Sequence, residues 1–126
     1  MRGMSRRGAL GASLAASVAG MPTAAARDQD AGLVAMCAEH AEALERYNRL
    51  GGRVEVEECP LALRYMAACD ALDEAKPKTM IGVLALAAAA HREARSGRRD
   101  DDLTWDGPAA EWAGEIATAL LRLHGI

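Results

Sequence analysis

The sequence predicts an all-α protein, a small bundle of about four helices preceded by an N-terminal leader. Alanine, leucine, glutamate and arginine are abundant and β-branched residues are few, a composition that favours helices over strands. Apolar residues recur every three or four positions in three segments, as in amphipathic helices. A fourth segment, residues 80–90, has no charged and no hydroxyl side chain. A helix this apolar must be covered on several sides, so we predict that it is the central helix of the bundle.

Length and charge limit the classes of protein that fit the chain. With 126 residues it forms one domain at most, which we assign to residues 27–126 after a leader at residues 1–26. Aromatic residues make up only 3% of the chain, so the alanine-rich core is predicted to be thin. The leader holds three arginines and no acid, which leaves 12 basic and 18 acidic residues in the domain. This acidic excess argues against nucleic-acid binding, which needs a dense basic surface.

The first 26 residues have the order of regions found in a cleavable export signal. Arg6 and Arg7 precede a weakly apolar run at residues 9–19, and small residues follow. Paired arginines before such a run resemble the twin-arginine export motif. We predict cleavage after Ala26, with Ala24 and Ala26 as the small residues at the −3 and −1 positions, and hence a periplasmic or secreted protein. The alternative is an N-terminal tail that is never processed, in a cytoplasmic protein.

The first two predicted helices form a helical hairpin. Asp28 and Asp30 are candidate N-caps for the first helix, residues 31–50. Gly51-Gly52 ends it, because glycine readily takes the left-handed conformation found at helix ends. The second helix, residues 60–75, begins with a proline, which suits a first helical position. The apolar stripes of the two helices comprise Leu33, Cys37, Ala41, Leu44 and Tyr47, and Leu61, Tyr65, Cys69 and Leu72.

The last two predicted helices pack across this hairpin. Thr79 can cap the central helix, and Gly97 is the candidate that ends it. A charged, solvated loop follows, and Pro108 marks the first turn of the last helix. The apolar face of that helix comprises Trp112, Ile116, Leu120 and Leu123. Because the connections are short, we expect sequential helices to be antiparallel neighbours.

The predicted domain contains three cysteines, Cys37, Cys59 and Cys69. An antiparallel hairpin about Gly51-Gly52 places Cys37 opposite Cys69 on the two facing apolar stripes. In an oxidising compartment these two residues can form a disulfide, which would leave Cys59 unpaired. The alternative is that all three cysteines are ordinary small buried residues.

The remaining polar residues show no pattern typical of a metal or catalytic site. His40, His91 and His124 are far apart in the sequence, and none belongs to a metal-binding motif. We therefore predict that the histidines lie at the surface or at helix ends, and that the protein binds no metal and no cofactor. No pair of a cysteine and a histidine is indicated as catalytic. Trp112 is predicted to anchor the core, whereas Trp105 either does the same or contacts a partner.

Three stretches of the chain resemble small helical proteins of high-GC proteobacteria that pair a twin-arginine leader with an alanine-rich bundle. They are Ser5-Arg6-Arg7, residues 77–82 at the start of the central helix, and residues 112–123 of the last helix. The resemblance implies export and a helical bundle. It implies no activity.

Three functions are compatible with these features. The first is an exported, non-catalytic helical module that binds or scaffolds an unidentified protein partner. The second is a cytoplasmic regulatory or accessory protein of a mobile element, with an unprocessed N-terminus and reduced cysteines. The third is an enzyme subunit or a small redox protein that uses Cys59. We favour the first, and we also expect self-association, because an alanine-rich core leaves apolar surface uncovered.

Overall fold

The computed structural model describes residues 29–50, 59–96 and 103–126. In these ranges the chain forms four α-helices and no strand: α1 (Ala31–Asn48), α2 (Pro60–Asp73), α3 (Met80–Arg95) and α4 (Gly107–Leu123). The predicted all-α bundle of about four helices is therefore confirmed. The leader, its cleavage site and the glycines predicted to end the first and third helices lie outside the described residues.

The helices begin at the capping residues and prolines that the sequence predicts. Asp30 occupies the N-cap position of α1, and Pro60 and Pro108 lie in the first turns of α2 and α4. Thr79 caps α3, since its Oγ1 accepts a hydrogen bond of 3.2 Å from the Gly82 amide. Local signals therefore mark the starts of α2, α3 and α4.

The helices pack around a core of mostly small side chains. α1 contacts both α2 and α3, and α4 contacts α3 and, less extensively, α2. The buried core comprises Leu33, Cys37, Cys69, Leu72, Ala75, Leu86, Ala89, Ala90 and Trp112. Three leucines and one tryptophan supply its large apolar side chains, so the core is thin, as the composition predicts. None of the four helices is both long and apolar enough to cross a lipid bilayer.

The prediction that α3 is covered on several sides is only partly correct. Leu86 and Ala89 are fully buried, but Met80, Leu84 and Ala88 are exposed, and Leu84 exposes 63% of its surface. These three residues are spaced four apart and therefore share one side of the helix. The physical reason is that α3 packs mainly against α1 and α4, so its remaining side meets little of the described chain.

Asp30 joins the start of α1 to the start of α3. Its side chain does not cap α1, although it occupies the N-cap position that was predicted for it. The buried carboxylate instead accepts hydrogen bonds from the amides of Lys78 (3.1 Å) and Thr79 (2.8 Å) and from the Thr79 hydroxyl (2.5 Å). A Cβ added at Gly82 would lie 2.1 Å from Asp30 Oδ2, so glycine is what allows this close approach. The anion at the N-terminus of α3 also complements the helix dipole.

Candidate functional site

Four polar side chains from three helices meet in the core, and we call them the buried polar cluster: His40, Tyr65, Cys69 and Glu93. His40 Nε2 lies 2.8 Å from Glu93 Oε1, and His40 has no exposed surface. The Tyr65 hydroxyl donates a hydrogen bond to Glu93 Oε2, and Cys69 Sγ lies 3.9 Å from Oε1. The Glu93 carboxylate therefore connects α1, α2 and α3.

Helical spacing explains how these side chains reach the interior. His40 follows Cys37 by three residues and precedes Leu44 by four, so it lies on the buried side of α1. Tyr65 and Cys69 are one turn apart on α2. Glu93 follows the buried Ala89 and Ala90 of α3 by four and three residues. Each polar group thus replaces one member of an apolar stripe.

The electrostatics of the cluster keep Glu93 charged in a partly buried position. Burial by itself raises the pKa of Glu93, but hydrogen bonds from His40 and Tyr65 outweigh it, and the pKa lies below its ordinary value. Burial, and then the hydrogen bond to Glu93, raise the pKa of Tyr65. Burial also raises the pKa of Cys69 to about 12, against the opposing hydrogen bond of Tyr65. At neutral pH the cluster therefore holds a carboxylate, a phenol and a thiol.

Aromatic rings enclose the histidine. The Trp112 ring meets His40 edge-on, with centroids 5.2 Å apart, and the centroid of the tilted Tyr65 ring lies 6.0 Å from that of His40. Tyr47 stacks on Tyr65 at 4.9 Å. The Trp112 indole donates a hydrogen bond of 2.8 Å to Asp73, which fixes the ring. The prediction that Trp112 anchors the core is confirmed, whereas Trp105 is 49% exposed.

Three members of the cluster offer metal-ligand atoms in one place. One ligand atom each from His40, Cys69 and Glu93 lies within 4.8 Å of the other two. The Nδ1 atom of His40 is fully buried and has no hydrogen-bond partner among the described residues. A buried polar atom left without a partner costs about 1–3 kcal/mol. The chemistry of this group of side chains thus includes the binding of a cation by nitrogen, sulfur and oxygen.

The predictions for the histidines are correct for two of the three residues. His91 and His124 are exposed, but the prediction of a surface or helix-end position is wrong for His40. The error arises because His40 is satisfied in the core by Glu93, which lies 53 residues away in the sequence. Such a histidine can occupy an apolar stripe and then has the helical spacing of any core residue.

The predicted disulfide partners both lie in the core where α1 meets α2, as free thiols. Burial raises the pKa of Cys37 to about 11, although the nearby Arg92 acts in the opposite direction. Cys59 is partly buried at the N-cap position of α2. The Cys37–Cys69 disulfide stays a prediction.

The predicted export residues lie outside the described part of the chain. They are Arg6 and Arg7 of the twin-arginine motif and Ala24 and Ala26 of the cleavage site. These assignments stay predictions from the sequence.

Comparison of the chain with protein-family models, with curated proteins and with solved structures gave no match. The class of protein is therefore defined by the fold and the site alone. It is a small all-α bundle with a buried polar cluster where three of its helices meet and an exposed apolar stripe on its third helix.

Proposed function

We propose that the protein is an exported, non-catalytic helical module that binds a protein partner through the outer side of α3. The observation that carries this proposal is the exposure of Met80, Leu84 and Ala88 on a helix with no charged side chain in residues 80–90. Single exposed apolar residues are ordinary, but a stripe of them over about two turns is typical of an interface. Burial of this stripe in a complex gains about 25 cal/mol for each Å² removed from water.

The state of two of the three thiols argues against their use in catalysis. A reactive cysteine is a thiolate in a positively charged and partly open environment. Cys37 and Cys69 are instead buried, and their pKa values are raised to about 11 and about 12. Both stay protonated at neutral pH and are poor nucleophiles.

The sequence of the leader supports export. Arg6 and Arg7 precede a weakly apolar run, and Ala24 and Ala26 provide small residues before the predicted cut.

The intact mass of the protein recovered from its native host is expected to correspond to a chain that begins at Arg27. The measurement is made before and after reduction, and a lower mass before reduction identifies an intramolecular disulfide such as Cys37–Cys69. A chain that begins at Met1 or Met4 would contradict export. That result would favour the alternative, a cytoplasmic accessory protein of a mobile element.

The substitution Leu84→Asp is expected to abolish self-association, the simplest form of the proposed interaction. A charge in the middle of the stripe is costly to bury against a partner but stays solvated in the monomer. Because Leu84 is exposed, the free energy of unfolding should change by no more than about 0.5 kcal/mol. Sedimentation velocity at micromolar concentration measures the association, and chemical denaturation measures the stability.

Leu63→Asp is the matched control, because Leu63 lies on α2 and is 48% exposed. It should leave the association unchanged. If the wild-type protein sediments as a strict monomer, self-association is excluded, and a photo-crosslinker at position 84 tests for another partner in the native host. A monomer that gives no defined crosslinked partner at this position would contradict the proposed interface.

A further inference from the structure

We propose that His40, Cys69 and Glu93 bind one divalent transition-metal ion of the zinc class. The three residues come from α1, α2 and α3, and their ligand atoms all lie within 4.8 Å of one another. A nitrogen, a thiolate sulfur and a carboxylate oxygen are the three kinds of donor that zinc accepts in proteins. This site is independent of the outer stripe of α3 and of any partner that binds there.

The distances in the cluster are close to those that a metal ion needs. Bonds of about 2.0–2.3 Å in a tetrahedral site place two ligand atoms about 3.3–3.8 Å apart. Glu93 Oε1 lies 2.8 Å from His40 Nε2 and 3.9 Å from Cys69 Sγ, one contact shorter and one slightly longer than this range. Moving the His40 and Glu93 side chains apart by less than about 1 Å brings this pair to ligand spacing. The ligand atoms of the third pair, His40 and Cys69, lie within 4.8 Å of each other. Hydrogen bonds hold the same side chains together without an ion.

The charges of the three ligands match a divalent cation. When the ion binds, the Cys69 thiol gives one proton to solvent and the metal–sulfur bond replaces the sulfur–hydrogen bond. The thiolate and the Glu93 carboxylate then contribute two negative charges, and a neutral His40 contributes none. The bound site is electrically neutral, which avoids the cost of a net charge in the core. A monovalent or trivalent ion would leave a net charge there.

One further contact is of the kind found at ligand sites. The Tyr65 hydroxyl holds the second oxygen of Glu93, the kind of contact that orients a carboxylate ligand in metal sites. Three protein ligands also leave one coordination position for a small external ligand.

Metal binding and the predicted disulfide exclude each other. A Cys37–Cys69 bond would remove the sulfur ligand, so the ion binds only to the reduced protein. Cys37 lies in the same core but not among the three ligands. The two cysteines therefore offer a matched pair of variants.

Titration of the reduced, metal-free full chain with Co²⁺ tests the site, because Co²⁺ replaces zinc and is coloured. The expected result is one equivalent bound, with a thiolate-to-cobalt charge-transfer band that Zn²⁺ abolishes. Zn²⁺ should also raise the Tm, as any ligand that binds only the folded state does. The band should disappear in Cys69→Ser and persist in Cys37→Ser.

Several results would overturn the proposal. They are the absence of a charge-transfer band in the reduced wild-type protein, a Tm that Zn²⁺ leaves unchanged, or a band that survives Cys69→Ser. Circular dichroism establishes that each metal-free variant is folded. Glu93→Gln, which keeps the volume of the side chain, is a second variant, and it should bind Co²⁺ at least tenfold more weakly than the wild type. The wild-type titration decides the question even if a variant fails to fold. His91→Ala, at an exposed histidine, should bind like the wild type.

Discussion

Replacement of Glu93 by alanine is expected to lower the free energy of unfolding by about 3 kcal/mol, because it leaves two hydrogen-bond donors inside the bundle unpaired and each costs about 1–3 kcal/mol. The substitution leaves His40 Nε2 and the Tyr65 hydroxyl without their acceptor, and it removes the contact that α1, α2 and α3 share. Domains of this kind are stable by only about 5–15 kcal/mol, so the loss is large. Chemical denaturation of metal-free protein, followed by circular dichroism, measures it.

Glu39→Ala is the matched control for Glu93→Ala. The Glu39 carboxylate also accepts a close side-chain hydrogen bond, 2.6 Å from Arg64 Nε, but its side chain is 45% exposed. Solvent screens such a pair and replaces its hydrogen bonds, so the loss of stability should be much smaller. Equal losses at the two positions would show that the buried polar cluster contributes no more than a surface ion pair.

The pH dependence of stability follows from the same carboxylate. The pKa of Glu93 is lower in the folded protein than the ordinary value of 4.5. The unfolded chain therefore binds more protons in this range, and the stability of the protein decreases as the pH is lowered. The contribution of Glu93 is complete above about pH 4.5 and is lost as the pH falls through the lower folded-state pKa. In Glu93→Gln this part of the acid transition should be absent.

The helices could be predicted from the sequence because the signals that define them are local. Thr79 and the prolines at positions 60 and 108 act within one turn of the chain, and each lies where the prediction placed it. Cys37, Cys69 and Trp112 were predicted correctly as core for the same reason, since helical spacing alone determines which residues share a side. Leu123, predicted on the same face as Trp112, is instead 39% exposed.

The buried polar cluster could not be predicted in this way. His40 and Glu93 are 53 residues apart, and only the packing of α1 against α3 brings them together. The one available signal was the spacing of His40 from Cys37 and Leu44, which puts it on the inner stripe. The exposure of Leu84 was missed for a related reason. The apolar sequence of α3 indicates that each side of the helix favours burial, but not whether another helix of the same chain covers that side.

Replacement of Asp30 by alanine is expected to lower the free energy of unfolding by about 3 kcal/mol. The amides of Lys78 and Thr79 and the Thr79 hydroxyl would lose a charged acceptor, and each unpaired buried donor costs about 1–3 kcal/mol before water compensates in part. Asp30→Asn keeps one acceptor oxygen and should lose less. Thermal and chemical denaturation of the full chain measure both variants, and a loss below about 1 kcal/mol would contradict a role beyond ordinary capping.

A double-mutant cycle between Asp30 and Gly82 distinguishes the close contact of these two residues from a general effect of substitution on the stability of α3. Gly82→Ala places a Cβ 2.1 Å from Asp30 Oδ2 and should destabilise the wild-type protein, because the carboxylate is held by its hydrogen bonds and cannot move away cheaply. In Asp30→Ala the obstructing oxygen is absent. The nearest remaining atom is the Cβ of residue 30, 3.1 Å from the Cβ added at position 82, and a small shift relieves this contact. There Gly82→Ala should be neutral or stabilising, by up to about 1 kcal/mol from helix propensity. Gly114→Ala on α4, with nothing within 4 Å of its Cβ, should stabilise both backgrounds equally. A non-additive effect at Gly82 alone thus identifies the Asp30 carboxylate as the group that requires glycine in the first turn of α3.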